Sequence, residues 1–328
     1  MKHWLKMVLF SLFFFNLAVT DVRAVSGEVL GVHILNIGEI EQAETLLKPN
    51  QTDSWRYITI PLSLADLEKK AEWQRFFDLA QEHKMIPIVR LVTKFEPSAW
   101  QVPTQKNVVE LIDFLNELKW PTNERYIAVF NEPNHSQEWG GQVDPEAYAR
   151  TLRFASNWAH ATHPGFRVLP AGLDLAAPNG STTLEAFNFL DKMSAADPEI
   201  FSYVDDWNSH SYPNPAFSAS PTKTGQNSLQ GFKYELAYLK QKTGRDYQVF
   251  ITETGWSENS ATRRWLASYY QYAIEHIWSD PRVKAVTPFI LQGDPGPFAS
   301  FSFINRAGQP TTQYAAYQQA IKKLDPGS

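Results

Sequence analysis

After the first two dozen residues, short apolar runs bounded by turn residues alternate with longer stretches of helical periodicity. This is the pattern of parallel strands joined by crossover helices. Strand-like runs cover Val29 to Leu35, Arg56 to Leu62, Ile86 to Val92, Tyr126 to Asn131, Val168 to Gly172, Val204 to His210, Gln248 to Glu253 and Lys284 to Leu291, and their starts lie 27 to 44 residues apart. Between the third and fourth, Val108, Leu111, Ile112, Leu115 and Leu118 follow the i, i+3, i+4, i+7 rule, while Glu110, Asp113 and Glu117 fall outside it. A second helix opens at Asp144-Pro145, a capping residue followed by the residue best suited to the first helical position, and ends near His163-Pro164-Gly165. Further helices are predicted near Ala43 and over Asp66 to Glu82, Leu184 to Met193, Leu229 to Lys242, Arg263 to Trp278 and Gln313 to Leu324. Eight such units predict an α/β fold, the (β/α)8 TIM barrel. The rival open, doubly wound sheet would carry a Gly-rich phosphate-binding turn, and none is present.

Composition narrows the function. Hydrophobic residues at 43% and charged residues at 20% are ordinary for a folded domain, whereas 14% aromatic with 11 Trp suits both a barrel core and stacking on sugar rings. A net charge of -5 without a basic stripe excludes the electrostatic footprint of a nucleic-acid binder. The absence of Cys excludes disulfides, thiolate metal sites and a cysteine nucleophile. Residues 1–24 are expected to be a signal peptide: Lys2 and Lys6 precede the apolar run Met7 to Val19, which is too short to span a bilayer, and Val22-Arg23-Ala24 suits cleavage. The expectation is a secreted or periplasmic protein with one domain over residues 25–328, no stable membrane insertion after leader removal, and a monomeric state.

In such a barrel, reactive groups stand where an apolar strand turns polar at its C-terminal end. The fourth run ends in Asn131-Glu132-Pro133-Asn134 and the seventh in Glu253-Thr254-Gly255-Trp256. Strands four and seven lie on opposing sides of the mouth, so Glu132 and Glu253 can converge across a cleft, as acetal hydrolysis requires. A metal-dependent alternative would draw on His210, Asp205 or Asp206, and Glu253, but the His-x-His and His-Glu-x-x-His spacings are missing.

At these residues the sequence resembles the clan A, or 4/7 superfamily, glycoside hydrolases. The resemblance implies that Glu132 is the acid/base, Asn131 the holder of the sugar 2-hydroxyl and Glu253 the nucleophile of a retaining hydrolase that needs no cofactor. Its substrate would be an oligo- or polysaccharide, expected to be β-linked. The sixth run, which ends in His210-Ser211-Tyr212-Pro213, looks like the His-x-Tyr of several clan families. Tyr212 is then expected to hydrogen-bond Glu253, and His210 to contact substrate or the acid/base. Asn-Glu-Pro-Asn, His-Ser-Tyr-Pro and Glu-Thr-Gly-Trp together are most similar to the β-xylosidase-like family 39, with the cellulase-like family 5 next. Two departures stand out. The second strand lacks the Arg common in the clan, which leaves Arg90 either to face the mouth and pair with Glu253 or to lie below it in a core ion pair. The eighth run reads Leu291-Gln292-Gly293 where a Trp is common. Trp256, Trp139, Phe298 and Phe301 are the candidate sugar platforms, and His33 and Asn36 are either pocket lining or ordinary polar groups. The alternative from another functional class is a catalytically silent barrel that captures or helps assemble polysaccharide.

Overall fold

The computed structural model describes residues 27–293 and 296–324, so the expected leader lies outside the described residues. Eight strands and eight α-helices alternate among the described residues: β1 Gly31–His33, α1 Ile40–Leu47, β2 Arg56–Ser63, α2 Lys70–Glu82, β3 Met85–Val92, α3 Gln105–Asn116, β4 Arg125–Val129, α4 Pro145–Thr162, β5 Phe166–Pro170, α5 Ala186–Ala196, β6 Trp207–His210, α6 Gly231–Thr243, β7 Val249–Glu253, α7 Leu266–His276, β8 Val283–Val286 and α8 Thr312–Leu324. All pairings are parallel, in ladders β1–β5 and β6–β8. Single bridges close the ring. Leu30 pairs with Val286, the Leu291 amide donates to the His33 carbonyl, and the Asn208 amide donates to the Pro170 carbonyl. The (β/α)8 barrel read from the sequence is the fold observed.

The expected amphipathic faces are the buried ones. Val108, Leu111, Ile112, Leu115 and Leu118 all pack inward from α3 or just beyond it, each burial stabilising by roughly 1.5–3 kcal/mol before entropic costs. Asp144 caps α4 by accepting from the Ala147 amide at 2.9 Å. Within the barrel, Tyr57, Ile88, Tyr126, Ala128, Leu169, Phe250 and Ala285 form an apolar plug. Above it, inward positions turn polar at Thr59, Arg90, Asn208, Thr252 and Thr287, all buried and hydrogen-bonded. The plug supports the site from below.

β1 is shorter than expected at both ends and β4 ends two residues early, at Val129; β5, β6 and β8 also differ from expectation. β5 begins two residues earlier, because after Pro170 the backbone serves other partners: the Ala171 amide donates to the Tyr148 hydroxyl and the Gly172 carbonyl accepts from the Glu132 amide. β6 begins at Trp207, since Asp205 and Asp206 are drawn into ion pairs with Arg167. β8 ends at Val286, beyond which residues 287–291 bond alternately to β1 and to the end of β7 without a regular ladder.

Glu235 on α6 is wholly buried behind β6, bonded to Trp207 Nε1 at 3.0 Å and to the Ser209 hydroxyl. Burial lifts its carboxyl from 4.5 to about 7 against those hydrogen bonds. The folded chain therefore holds this proton more tightly than the unfolded one, and the resulting stability falls away as pH rises from 4.5 through about 7. Glu235→Gln can accept from Trp207 and donate to Ser209. It is expected to flatten thermal unfolding against pH and to raise the midpoint at pH 8 by up to the equivalent of about 3 kcal/mol; an unchanged pH dependence would show that the carboxyl titrates normally.

Candidate active site

Glu132 and Glu253 meet at the mouth of the barrel. Glu253 closes β7, where a register shift pairs Ser209 with Ile251 but His210 with Glu253. Consecutive residues Thr252 and Glu253 thereby both reach interior partners. On the other side Phe130 and Glu132 sit at φ 69° and 30°, a left-handed backbone rarely tolerated by bulky side chains. The chain turns sharply there and aims Glu132 back across the mouth. One carboxylate oxygen from each Glu and one His210 nitrogen lie within 4.8 Å of one another.

Two environments separate the carboxylates. Buried Glu253 accepts from Arg90 Nη1 on one oxygen and from the Tyr212 hydroxyl at 3.1 Å on the other. Burial alone would raise its pKa, but the charges of His210 and Arg90 and the Arg90 hydrogen bond overcome it and hold the group at about 2. His33 lies 3.9 Å from Glu253 yet is itself held down to about 3, by burial first and by Arg90 second, so it is a neutral neighbour. Arg90 Nη1 also donates to Asn131 Oδ1 at 2.8 Å. Glu132, half-exposed, faces a ring instead: His210 Nδ1 lies 2.7 Å from its Oε1.

The network behind His210 decides which nitrogen holds the ring proton. The Asn208 amide donates to the Pro170 carbonyl, so its oxygen faces Thr252 and accepts that hydroxyl at 2.6 Å. Thr252 Oγ1 has then only a lone pair to offer His210 Nε2 at 3.2 Å, and Nε2 carries the hydrogen. Neutral His210 therefore presents a bare Nδ1 to Glu132. A contact of 2.7 Å between them requires one shared proton, either on the carboxyl or on the ring. Burial pulls the His210 pKa down, but the charge of Glu253 and the bond to Glu132 raise it overall. The ring fits because Gly172 lies beneath it: a Cβ there would stand 2.2 Å from His210 Cδ2.

One carboxylate is thus kept ionised and the other is paired to a proton, a division that acetal cleavage can use. Residues 64–317 match the family model described as glycosyl hydrolase catalytic core. The chain belongs to this family. The glycosyl hydrolase core shares its fold with a family 39 glycoside hydrolase from the gut symbiont Bacteroides cellulosilyticus WH2, at 15% identity and TM-score 0.61 over 90% of this chain and 64% of that one. It also resembles a glucosidase from Croceicoccus marinus, at 11% identity and TM-score 0.63 over 90% and 68%, and a β-mannanase from Thermomonospora fusca, at 13% identity and TM-score 0.54 over 90% and 91%. The chain thus spans less than two thirds of the family 39 enzyme. No curated protein sequence matches it. The clan A resemblance stands, with families 39 and 5 both among the structural relatives, and the coarse activity that goes with the family is glycoside hydrolysis.

The structure brings Asn131, Glu132, Glu253, His210 and Tyr212 together as the motifs implied, and Arg90 joins them. Arg90 takes the mouth-facing of its two readings. It does not restore the strand-two Arg but pairs with Glu253 from β3. Trp256 and Trp139 are corrections. Trp256 is fully buried against Tyr269 and Tyr270 with its indole N–H on the Ala219 carbonyl, and Trp139 is buried against Phe130 and Tyr148. Neither offers a free ring face, because the strand ends dip into the core before the loops emerge. Phe301 is nearly buried beside Tyr212, whereas Phe298 is 45% exposed and stacks edge-on against Phe289. Asn36 turns aside to Glu39.

Two residues, Phe289 and Glu138, escaped the sequence reading, and Asn134 was named there only as part of its motif. Phe289, three residues past β8, packs edge-on to His33 at 5.1 Å. Asn134, wholly buried, ties the loop after β4 to Asp174 and Leu184. Glu138 stands six residues after Glu132 in the same loop, its position beside Trp139 being the available signal. Asp205 and Asp206 stay at the far end of β6 from His210, so a metal site built from them with Glu253 does not form. The compact trio Glu132, His210 and Glu253 fits a cation poorly, because Arg90 already compensates Glu253 and His210 Nδ1 is committed to Glu132.

Nitrogen-detected NMR tests the network. Neutral His210 is expected as the Nε2–H tautomer, with its titration above 6.5. Glu132→Gln should bring that titration down, and Gly172→Ala should disturb tautomer and titration together. A His210 that titrates at or below 6.5 would refute the shared proton.

Proposed function

We propose that this protein is an exported retaining glycosidase that cleaves β-linked oligo- or polysaccharides through a covalent glycosyl-enzyme intermediate. The observation that carries the reading is the close approach of the two carboxylates, with oxygens within 4.8 Å. This suits the roughly 5–5.5 Å carboxyl separation of retaining enzymes and leaves no room for the interposed water of inverting ones. In this reading Glu253 attacks the anomeric carbon while the proton shared by Glu132 and His210 passes through Glu132 to the departing oxygen. Water, deprotonated by Glu132, then displaces Glu253 and returns the proton to the acid/base with net retention. Tyr212 and Arg90 hold Glu253 ionised and oriented, and Asn131 meets the sugar 2-hydroxyl. Exposed Phe298 and Phe217 are the apolar surfaces available to further sugar rings. The apolar run Met7 to Val19 supports export to the periplasm or medium, with the barrel acting as one monomeric unit.

The test is a time course on a panel of aryl β-glycosides and β-linked polysaccharides, with product anomers followed by proton NMR. Glu253→Ala should lose essentially all turnover, and Glu132→Ala should lose it except on substrates with good leaving groups, where azide restores the rate as a β-glycosyl azide. First-formed α-anomer from β-substrate would overturn retention, and inactivity of the wild type throughout would leave a silent carbohydrate-binding barrel. Tyr212→Phe removes one donor to Glu253 and is expected to lower kcat about 10- to 100-fold, measured on the same aryl substrates.

A further inference from the structure

The chain doubles back directly after the acid/base. The His135 amide donates to the Glu132 carbonyl at 2.8 Å, so the imidazole of His135 stands one tight turn from the acid/base. Its Nε2 lies 2.9 Å from Asp174 Oδ2. Asp174 comes from the loop after β5, two residues beyond the Gly172 that lies beneath the His210 ring, and its backbone is bridged in parallel to His210 itself. Its other oxygen accepts from the Ala176 amide at 2.8 Å. Two imidazoles therefore attend Glu132: His210 meets its carboxyl, and the His135–Asp174 pair is anchored on the backbones of Glu132 and His210. A carboxylate only accepts, so Nε2 of His135 carries the hydrogen shared with Asp174 and Nδ1 is the end left over. Nδ1 has no protein partner among the described residues, and the side chain is 31% exposed. A neutral ring offers there a lone pair to a hydroxyl, and a protonated ring offers an N–H to an oxygen.

We propose that His135, oriented by Asp174, binds the leaving side of the substrate, hydrogen-bonding through Nδ1 to a hydroxyl or ring oxygen of the sugar that departs. The placement follows from the order of the strands. Arg90 on β3 holds Asn131, whose amide takes the 2-hydroxyl of the attacked sugar in the proposed reaction, so that sugar lies on the β3 flank of Glu132. β5 is the other neighbour of β4, and the unit whose oxygen Glu132 protonates leaves along that flank, past the His135–Asp174 pair. A brace between the two loops is already made without this pair. Wholly buried Asn134 bonds the Asp174 and Leu184 carbonyls, the Ser136 amide meets the Thr182 carbonyl, and the His135 backbone pairs with Thr183. Beside these a half-exposed ion pair adds little to stability, which leaves recognition as the task of its one directed polar atom.

This role rests on the retaining-glycosidase reading, and the experiment separates the two. Wild type, His135→Ala, His135→Asn and His135→Gln are compared on a β-linked oligosaccharide and on a 2,4-dinitrophenyl β-glycoside of the same reacting sugar, whose leaving group carries no hydroxyl beyond the departing oxygen. His135→Ala is expected to lose about tenfold in kcat/KM on the oligosaccharide, the size expected for one hydrogen bond, and to stay within about twofold on the aryl glycoside. Asn sets its amide near the position of Nδ1 and should restore part of the loss; Gln reaches toward Asp174 and should not. The second readout is transfer. A free sugar can replace water against the glycosyl-enzyme: its hydroxyl oxygen bonds to the anomeric carbon, the bond to Glu253 breaks and the proton passes to Glu132. With the aryl glycoside as donor and that sugar at fixed concentration, His135→Ala should lower the ratio of transfer product to hydrolysis product by about tenfold. This ratio does not depend on how much of the variant is folded. Equal losses on both substrates, an unchanged product ratio, or activity kept by Gln and lost in Asn would overturn the role and leave the glycosidase reading intact. So would a wild type that turns over aryl glycosides but neither cleaves oligosaccharides nor transfers. No turnover of any substrate by the wild type, together with no labelling of Glu253 by an activated 2-deoxy-2-fluoro glycoside, would overturn both.

Discussion

The ion pair between Arg90 and Glu253 is the constraint on which the rest of the mouth depends. β3 and β7 face each other across the barrel, and the pair straps them together inside a space that excludes most water. A carboxylate buried there alone would be strongly destabilising, by about 3–5 kcal/mol when its partner is removed. The guanidinium offsets that cost and has further effects. It fixes the Asn131 amide, adds to the burial that keeps His33 neutral, and joins His210 in favouring the ionised form of Glu253. The apolar plug of Tyr57, Tyr126 and Phe250 beneath keeps the dielectric low enough for these effects to matter.

Two glutamates of the same chemistry thus acquire opposite tasks from their surroundings. Glu253 sees a permanent cation and a phenol. Glu132 sees an imidazole whose tautomer is dictated, three hydrogen bonds away, by the Pro170 carbonyl. That carbonyl is free to do so because β5 ends at Pro170 and its ladder partner on β6 is a side chain, not a backbone amide. Strand irregularities at β5, β6 and β8 are therefore part of how the site is assembled.

Much of this was legible in the sequence. Eight alternating units, the α3 stripe and the Asp144 cap named the barrel, and Asn131-Glu132 with Glu253 named the clan. What the sequence could not supply was depth. Trp256 and Trp139 follow catalytic motifs and yet point into the core, because a residue's number does not say which way a loop leaves a strand. Phe289 comes to rest against His33 because residues 287–291 leave the regular register, which no count along the eighth run foretells. In each case local pattern gave the element and tertiary geometry gave the facing.

The backbone at Glu132 sets local comfort against the site. Phe130 and Glu132 hold φ values of 69° and 30°, each costing of order 1–3 kcal/mol that the surrounding core must absorb. A glycine at position 132 would relieve that strain and leave the buried His210 ring without its carboxylate partner. The side chain that the fold would most readily give up for its own comfort is thus the one around which the imidazole is arranged.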